Sequence, residues 1–139
     1  LSYEADRCAD AIKKRGAAVV LGDTSRNATH LVHRMDFAKL MNMAEDGTKV
    51  GLTVLGPNMA WGREMLLWNA SKLMQTCTNE EIVSMLTVNP AEFFGVSDRI
   101  GQLKAGLDAD YLIYEGNPIE KCNAVLLETV INGETVYQA

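Results

Sequence analysis

Two short apolar runs, Ala-Ala-Val-Val-Leu at 17–21 and Val-Gly-Leu-Thr-Val-Leu at 50–55, constrain this chain more than any other feature. Each has the length of a strand, and each is apolar at positions that point to both faces, as in strands covered by helices. The segments around them have helical spacing. Ala5, Cys8, Ala9 and Ile12 recur at a helical period, with Lys13, Lys14 and Arg15 in the last turn and Gly16 as the stop. Met35, Phe37, Leu40, Met41 and Ala44 form a second helical pattern, closed by Asp46-Gly47, and Met65, Leu66, Trp68, Leu73 and Met74 a third. Strands separated by helices cannot be joined as a hairpin, so the two runs belong to a parallel sheet and the fold class is α/β.

Two further helices announce their starts. Thr78-Asn79-Glu80-Glu81 fits a capping box, with Ile82, Met85 and Leu86 as the buried face. Asn89-Pro90-Ala91-Glu92 reads as a second start, with Asn89 as cap, Pro90 at the first helical position, Phe93 and Phe94 packing, and Gly95 as the end. Beyond Gly95 the chain turns β-rich. Glycines at 101, 106, 116 and 133 punctuate extended runs at 109–114 and 124–131. Asn132-Gly133 between apolar segments is a two-residue hairpin signal, because both residues tolerate positive φ.

Composition narrows the partners. The net charge is −5 and the 13 Lys and Arg are scattered, so no basic stripe points to nucleic acid or a membrane surface. No apolar run approaches the roughly 20 residues of a membrane span. Cys8, Cys77 and Cys122 are odd in number and far apart, which fits reduced thiols in a cytoplasmic protein. Cys8 and Cys77 fall in or beside helical patterns and read as buried filler. The chain starts at Leu1 and runs almost at once into a helix, as a piece cut from something longer would; N-terminal processing gives the same appearance.

Three blocks follow one another: T-V-N-P-A at 87–91, I-G-Q-L-K-A-G-L-D-A-D at 100–110, and V-I-N-G-E-T-V-Y at 130–137. In this order they resemble the C-terminal end of the metal-dependent amidohydrolase superfamily, especially its imidazolonepropionase-like branch. The matching positions are Thr87, Asn89, Pro90 and Ala91, then Ile100, Gly101, Leu103, Gly106, Ala109 and Asp110, then Val130, Gly133, Val136 and Tyr137. The resemblance implies a partial (β/α)8 barrel over residues 1–97, comprising the last two strands and their helices. A small β-sandwich portion, part of a composite domain, would follow over 98–139. A complete barrel needs about 250 residues and does not fit here. Within the sandwich portion, Gly101 and Gly106 would allow tight turns, and Asp110 would cap or brace them.

The resemblance also implies a catalytic set: an H-x-H after the first barrel strand, a Lys or Glu after the fourth, histidines after the fifth and sixth, and an Asp after the eighth. A divalent metal (zinc or similar) held there lowers the pKa of a water, and the Asp takes its proton. This chain has no H-x-H. His30 and His33 in T-H-L-V-H are close enough to share a helix face but match no family ligand, and packing or solvent-facing histidines are the ordinary alternative. The eighth-strand Asp is the one ligand whose position falls within the chain. That strand maps to 50–55, and its end to Gly56-Pro57-Asn58, where the family has G-T-D or G-S-D. Asn58 therefore occupies the Asp position with an amide that cannot accept the proton. Asp23, in Gly22-Asp23-Thr24-Ser25, is the carboxylate at the other strand end, with turn capping as its alternative role. Arg63-Glu64 reads as a solvated first turn rather than a substrate clamp.

No metal is expected in this chain alone. The expected partners are a small-molecule substrate in the parent enzyme and either a missing barrel half or a second copy of the chain. Three functions are open: the C-terminal part of an amidohydrolase acting on C–N bonds of an amide or cyclic amide, inactive by itself; a non-catalytic interaction module; or one half of a split enzyme.

Overall fold

A 3-10 turn at Ala5–Cys8 leads into helix α1, Ala9–Arg15, and Gly16 ends the helix in the left-handed region at φ 60°. The Gly16 amide donates to the Lys13 carbonyl and the Ala17 amide to the Ile12 carbonyl, as in a glycine C-cap. The computed structural model describes residues 5–21, 43, 47–53 and 66–139. The expected helix over 35–44 and the end of the run at 54–55 lie outside the described residues, apart from Met43. Strand β1, Val19–Leu21, pairs in parallel with β2, Val50–Leu52, in the register Val19↔Val50, Val20↔Gly51, Leu21↔Leu52. The parallel pair expected from the apolar runs is present. β1 is shorter than the run because Ala17 and Ala18 are exposed and stay outside the ladder.

Helix α2, Leu66–Ser71, continues as a 3-10 turn to Gln75. Helix α3, Asn79–Leu86, starts with the full capping box: the Glu81 amide donates to Thr78 Oγ1, and the Thr78 amide donates to the Glu81 carboxylate at 2.7 Å. Helix α4, Val88–Phe93, follows after one residue. Leu21, Val50, Ile82 and Met85 are the largest fully buried side chains, and Ala5, Ala9, Val19, Met43, Ala70, Leu73 and Ile119 join them in the core. Burying each of the larger ones is worth about 1.5–3 kcal/mol.

The C-terminal part is a three-stranded antiparallel sheet in the order β3 (Tyr111–Glu115), β4 (Val125–Ile131), β5 (Glu134–Gln138). Asn132 and Gly133 both take positive φ, 57° and 79°, which closes β4–β5 with the expected two-residue turn. Register places Leu112, Thr129 and Tyr137 side by side on one face and Tyr111, Val130 and Thr135 on the other. Apolar side chains are open to solvent on both: Leu112 is 55% exposed, Tyr137 48% and Tyr111 36%. The sheet joins the core through the connection before β4, where Ile119 is buried and the Asn79 amide donates to the Glu120 carboxylate.

Several local expectations are corrected. Asn89 is not a helix cap: α4 already begins at Val88, and the Asn89 side chain is spent on a distant strand. Phe94 does not pack but is 82% exposed, while Phe93 turns its ring to Gly51. Asp110 braces a different turn from the one expected. Its carboxylate accepts the Asn132 amide at 2.7 Å, and Ala109 accepts from Gly133, so β3 begins only at Tyr111. The loop containing Gly101 and Gly106 is closed instead by Asp108, which bonds the Arg99 guanidinium at 2.7 Å while its amide donates to the Arg99 carbonyl. Cys8 is exposed rather than buried; it stands at the residue before α1 and makes no capping bond through its side chain.

Candidate functional site

Parallel pairing delivers both strand ends to one edge. The Thr53 amide donates to the Leu21 carbonyl at 2.9 Å, so the chain leaves β1 and β2 side by side. The carboxyl edge of a parallel sheet is where α/β enzymes collect functional groups from the following loops. Asp23 and Asn58 follow these strand ends in sequence, but both lie outside the described residues, as do His30, His33, Arg63 and Glu64. Among the described residues no three His, Cys, Asp or Glu side chains come together as a metal site. No helix among them is long and apolar enough to cross a membrane.

The position of β2 is set from one side by α4. Asn89, Glu92 and Phe93 lie at i, i+3 and i+4, on one helix face. Each meets a different residue of the stretch 49–51, at the start of β2. The Asn89 amide nitrogen donates to the Val50 carbonyl at 2.5 Å, Glu92 pairs with Lys49, and the Phe93 ring lies where a Cβ on Gly51 would stand. A Cβ at Gly51 would come within 2.6 Å of Phe93 Cε2, so only glycine lets the ring approach. The opposite side of α4 holds the second motif. A Cβ at Gly101 would lie 2.8 Å from Ala91 Cβ and 3.2 Å from the Thr87 carbonyl. Thr87, Asn89, Ala91 and Gly101, all singled out in the sequence, thus belong to one joint between β2 and the C-terminal region.

A cavity of about 150 Å³ opens at the other, amino-terminal edge of the sheet, lined by Lys13, Gly16, Ala18, Thr48 and Lys49 among others. It lies away from the strand ends that lead to Asp23 and Asn58. Its lysines do not make it an anion site. Lys49 is paired with Glu92, and α1 points its carbonyl end, the negative pole of the helix dipole, in this direction. Among thiols, Cys77 is half-buried and its pKa is raised, first by burial and then by Glu81, against a lowering hydrogen bond from Thr76. A raised pKa lowers the share of reactive thiolate, which fits a packing role better than that of a nucleophile. Sequence reasoning missed the long-range roles of Asn89 and Asp108; Asp108 carried no local signal, and Asn89 carried a misleading one.

The model of the family described as "Amidohydrolase family" matches residues 10–137. The imidazolonepropionase of Shewanella woodyi (strain ATCC 51908 / MS32) is 33% identical over 79 residues, 53% of this chain and 19% of the relative. The crystal structure of an amidohydrolase from Thermotoga maritima MSB8 superposes on 97% of this chain with a TM-score of 0.79 at 25% identity, and this chain spans 35% of it. A prolidase solved with N-methylphosphonate-L-proline shares the fold at 19% identity and a TM-score of 0.69 over 96% of this chain. The chain thus spans about a fifth of the curated relative and about a third of the solved amidohydrolase.

Proposed function

Because the chain belongs to the amidohydrolase family, in its imidazolonepropionase-like branch, we propose that it forms the C-terminal part of a metal-dependent hydrolase of C–N bonds in an amide or cyclic amide. The observation that carries this reading is the 97% superposition onto about a third of a solved amidohydrolase. On it, β1 and β2 with their helices are the last two strands of a (β/α)8 barrel, and the three-stranded sheet belongs to a small β-sandwich completed by other strands. Among the described residues the outer edges of β1 and β2 carry no paired strand, as a segment of a barrel requires.

The division of labour follows. The histidine ligands and most of the loops that select a substrate belong to the remainder of the enzyme, and this chain supplies part of the barrel wall. Bound metal in such an enzyme activates a water for attack on the carbonyl carbon. Asn58 is unable to take the proton that the family's Asp takes, so Asp23 is the carboxylate this chain offers at the strand ends. The described residues do not by themselves make a metal site. The free thiols suit a reducing compartment, and the cytoplasm is the proposed location.

A second reading has one observation in its favour. Apolar side chains exposed on both faces of the C-terminal sheet suit a non-catalytic module whose surface is covered by a partner chain. Elemental analysis of protein purified without chelator tests the first reading. We expect no stoichiometric metal in this chain alone. One equivalent of zinc, iron or manganese, lost in Asp23→Asn or His30→Ala, would overturn it by placing a complete site within these residues.

A further inference from the structure

The Asn89–Val50 bond lies on the outer side of the sheet. Val19 donates to the Lys49 carbonyl and stands in register with Val50. In a parallel ladder the residue directly opposite a bonding residue points its own N–H and C=O the other way. Lys49 and Gly51 therefore serve β1, while the backbone groups of Val50 and Leu52 face away from it. This outer edge is where another strand would add, and at its first position the acceptor is met by a side-chain amide from α4.

We propose that Asn89 is a positioning residue that stands in for a neighbouring strand. Its amide occupies the Val50 carbonyl, so that a strand added to this edge takes up its ladder at Leu52. With Lys49–Glu92 below and Gly51–Phe93 above, the bond also fixes β2 along its own axis against α4. That axial position sets the height at which the chain leaves the sheet towards residue 58. The identity of the added strand, a parallel strand from the remainder of the enzyme, rests on the functional reading given above. The bond and its effect on β2 do not.

The chemistry at this position is directional. A carbonyl accepts and never donates, so the group facing it must carry a hydrogen. Asn89→Ala removes the donor. Asn89→Asp keeps the shape and, when ionised, turns an acceptor towards an acceptor. Protonation gives the aspartic acid an O–H that can donate to Val50. Facing a carbonyl disfavours the carboxylate, so the folded-state pKa is raised above its ordinary value near 3.9. Stability contributed by the protonated form is therefore present at acid pH and is lost as pH rises.

Thermal unfolding of both variants in the intact protein, near neutral pH and at about pH 4, tests this. We expect Asn89→Asp to melt below Asn89→Ala at neutral pH, by about 5 °C, and the order to reverse at acid pH. Packing alone gives no pH-dependent crossing, so two variants that shift in parallel would overturn the proposal. Should neither variant fold, NMR scalar coupling across the hydrogen bond in the wild-type protein decides. Coupling between the Asn89 side-chain nitrogen and the Val50 carbonyl carbon is expected, and its absence in the folded protein overturns the assignment. Neither readout depends on metal or hydrolysis, so a failed functional reading leaves this one standing, and the converse also holds.

Discussion

The two sheets of this chain solve the burial problem in opposite ways. The parallel pair β1–β2 is short, and its side chains sit in a closed core with α3 and the helices around it. The antiparallel sheet β3–β5 is longer and is paired along most of its length, with a bulge in each pair at Leu127 and Val136, yet it leaves apolar groups open on both faces. Side-chain burial holds the first together, whereas backbone pairing and a tight turn hold the second. Extent of backbone pairing and hydrophobic burial are separable properties of a sheet: the antiparallel sheet has more of the first and the parallel pair more of the second.

Mutation should break the comparison most sharply in the core. Ile82→Ala, at a fully buried site, is expected to cost about 2–5 kcal/mol. Leu112→Ala, on the open face of β3, should stay within about 0.5 kcal/mol in the same denaturant titration. Equal losses would mean that the open sheet is covered in solution. The joint between the regions comes next. Gly101→Ala forces positive φ and a clash with Ala91 and is expected to cost about 2–3 kcal/mol. Gly106→Ala has the same φ problem in open space and should cost about 1 kcal/mol. The gap between the two measures the closeness of the joint. Loss of the capping box in Thr78→Ala should remove about 1 kcal/mol, read by thermal unfolding.

The smallest effect concerns thiols. Cys77 should react with iodoacetamide more slowly than Cys8 or Cys122 at mildly alkaline pH, because burial keeps it protonated. Its raised pKa means that the folded chain holds a proton the unfolded chain releases, so its contribution falls as pH climbs past the ordinary thiol range. Alkylation of all three at one rate would show that the core around Cys77 opens readily.

What the sequence disclosed follows the range of each interaction. The capping box spans three residues and the hairpin turn two, and both were readable as local chemistry. Parallel pairing was readable as well, since the helical spacing of residues 35–44 between the two apolar runs argues against a hairpin. Asn89 was misread because Asn-Pro is a good local helix start, whereas its partner is 39 residues away. Asp110 was attached to nearby glycines, although its partner Asn132 is 22 residues on. Phe94 beside Phe93 gave no periodic clue to which ring would be buried. Asp23 and Asn58 were singled out by family position and lie outside the described residues. The candidate site was therefore legible as a motif departure, with Asn in place of Asp, and not as a geometry.

The α4 clamp has a consequence for the order in which the chain assembles. Strand β2 is complete in sequence at Leu52, but the side chains that tie down its outer edge arrive with Asn89, Glu92 and Phe93. During synthesis from the N-terminus, β1 and β2 are therefore made well before the residues that fasten them. Closing the connection between the two strands also carries a loop entropy that local pairing does not. The hairpin at Asn132-Gly133 bears no such delay and can form within microseconds of its residues becoming free. The hairpin thus needs only its own residues to form, whereas the buried parallel pair waits for its fastener.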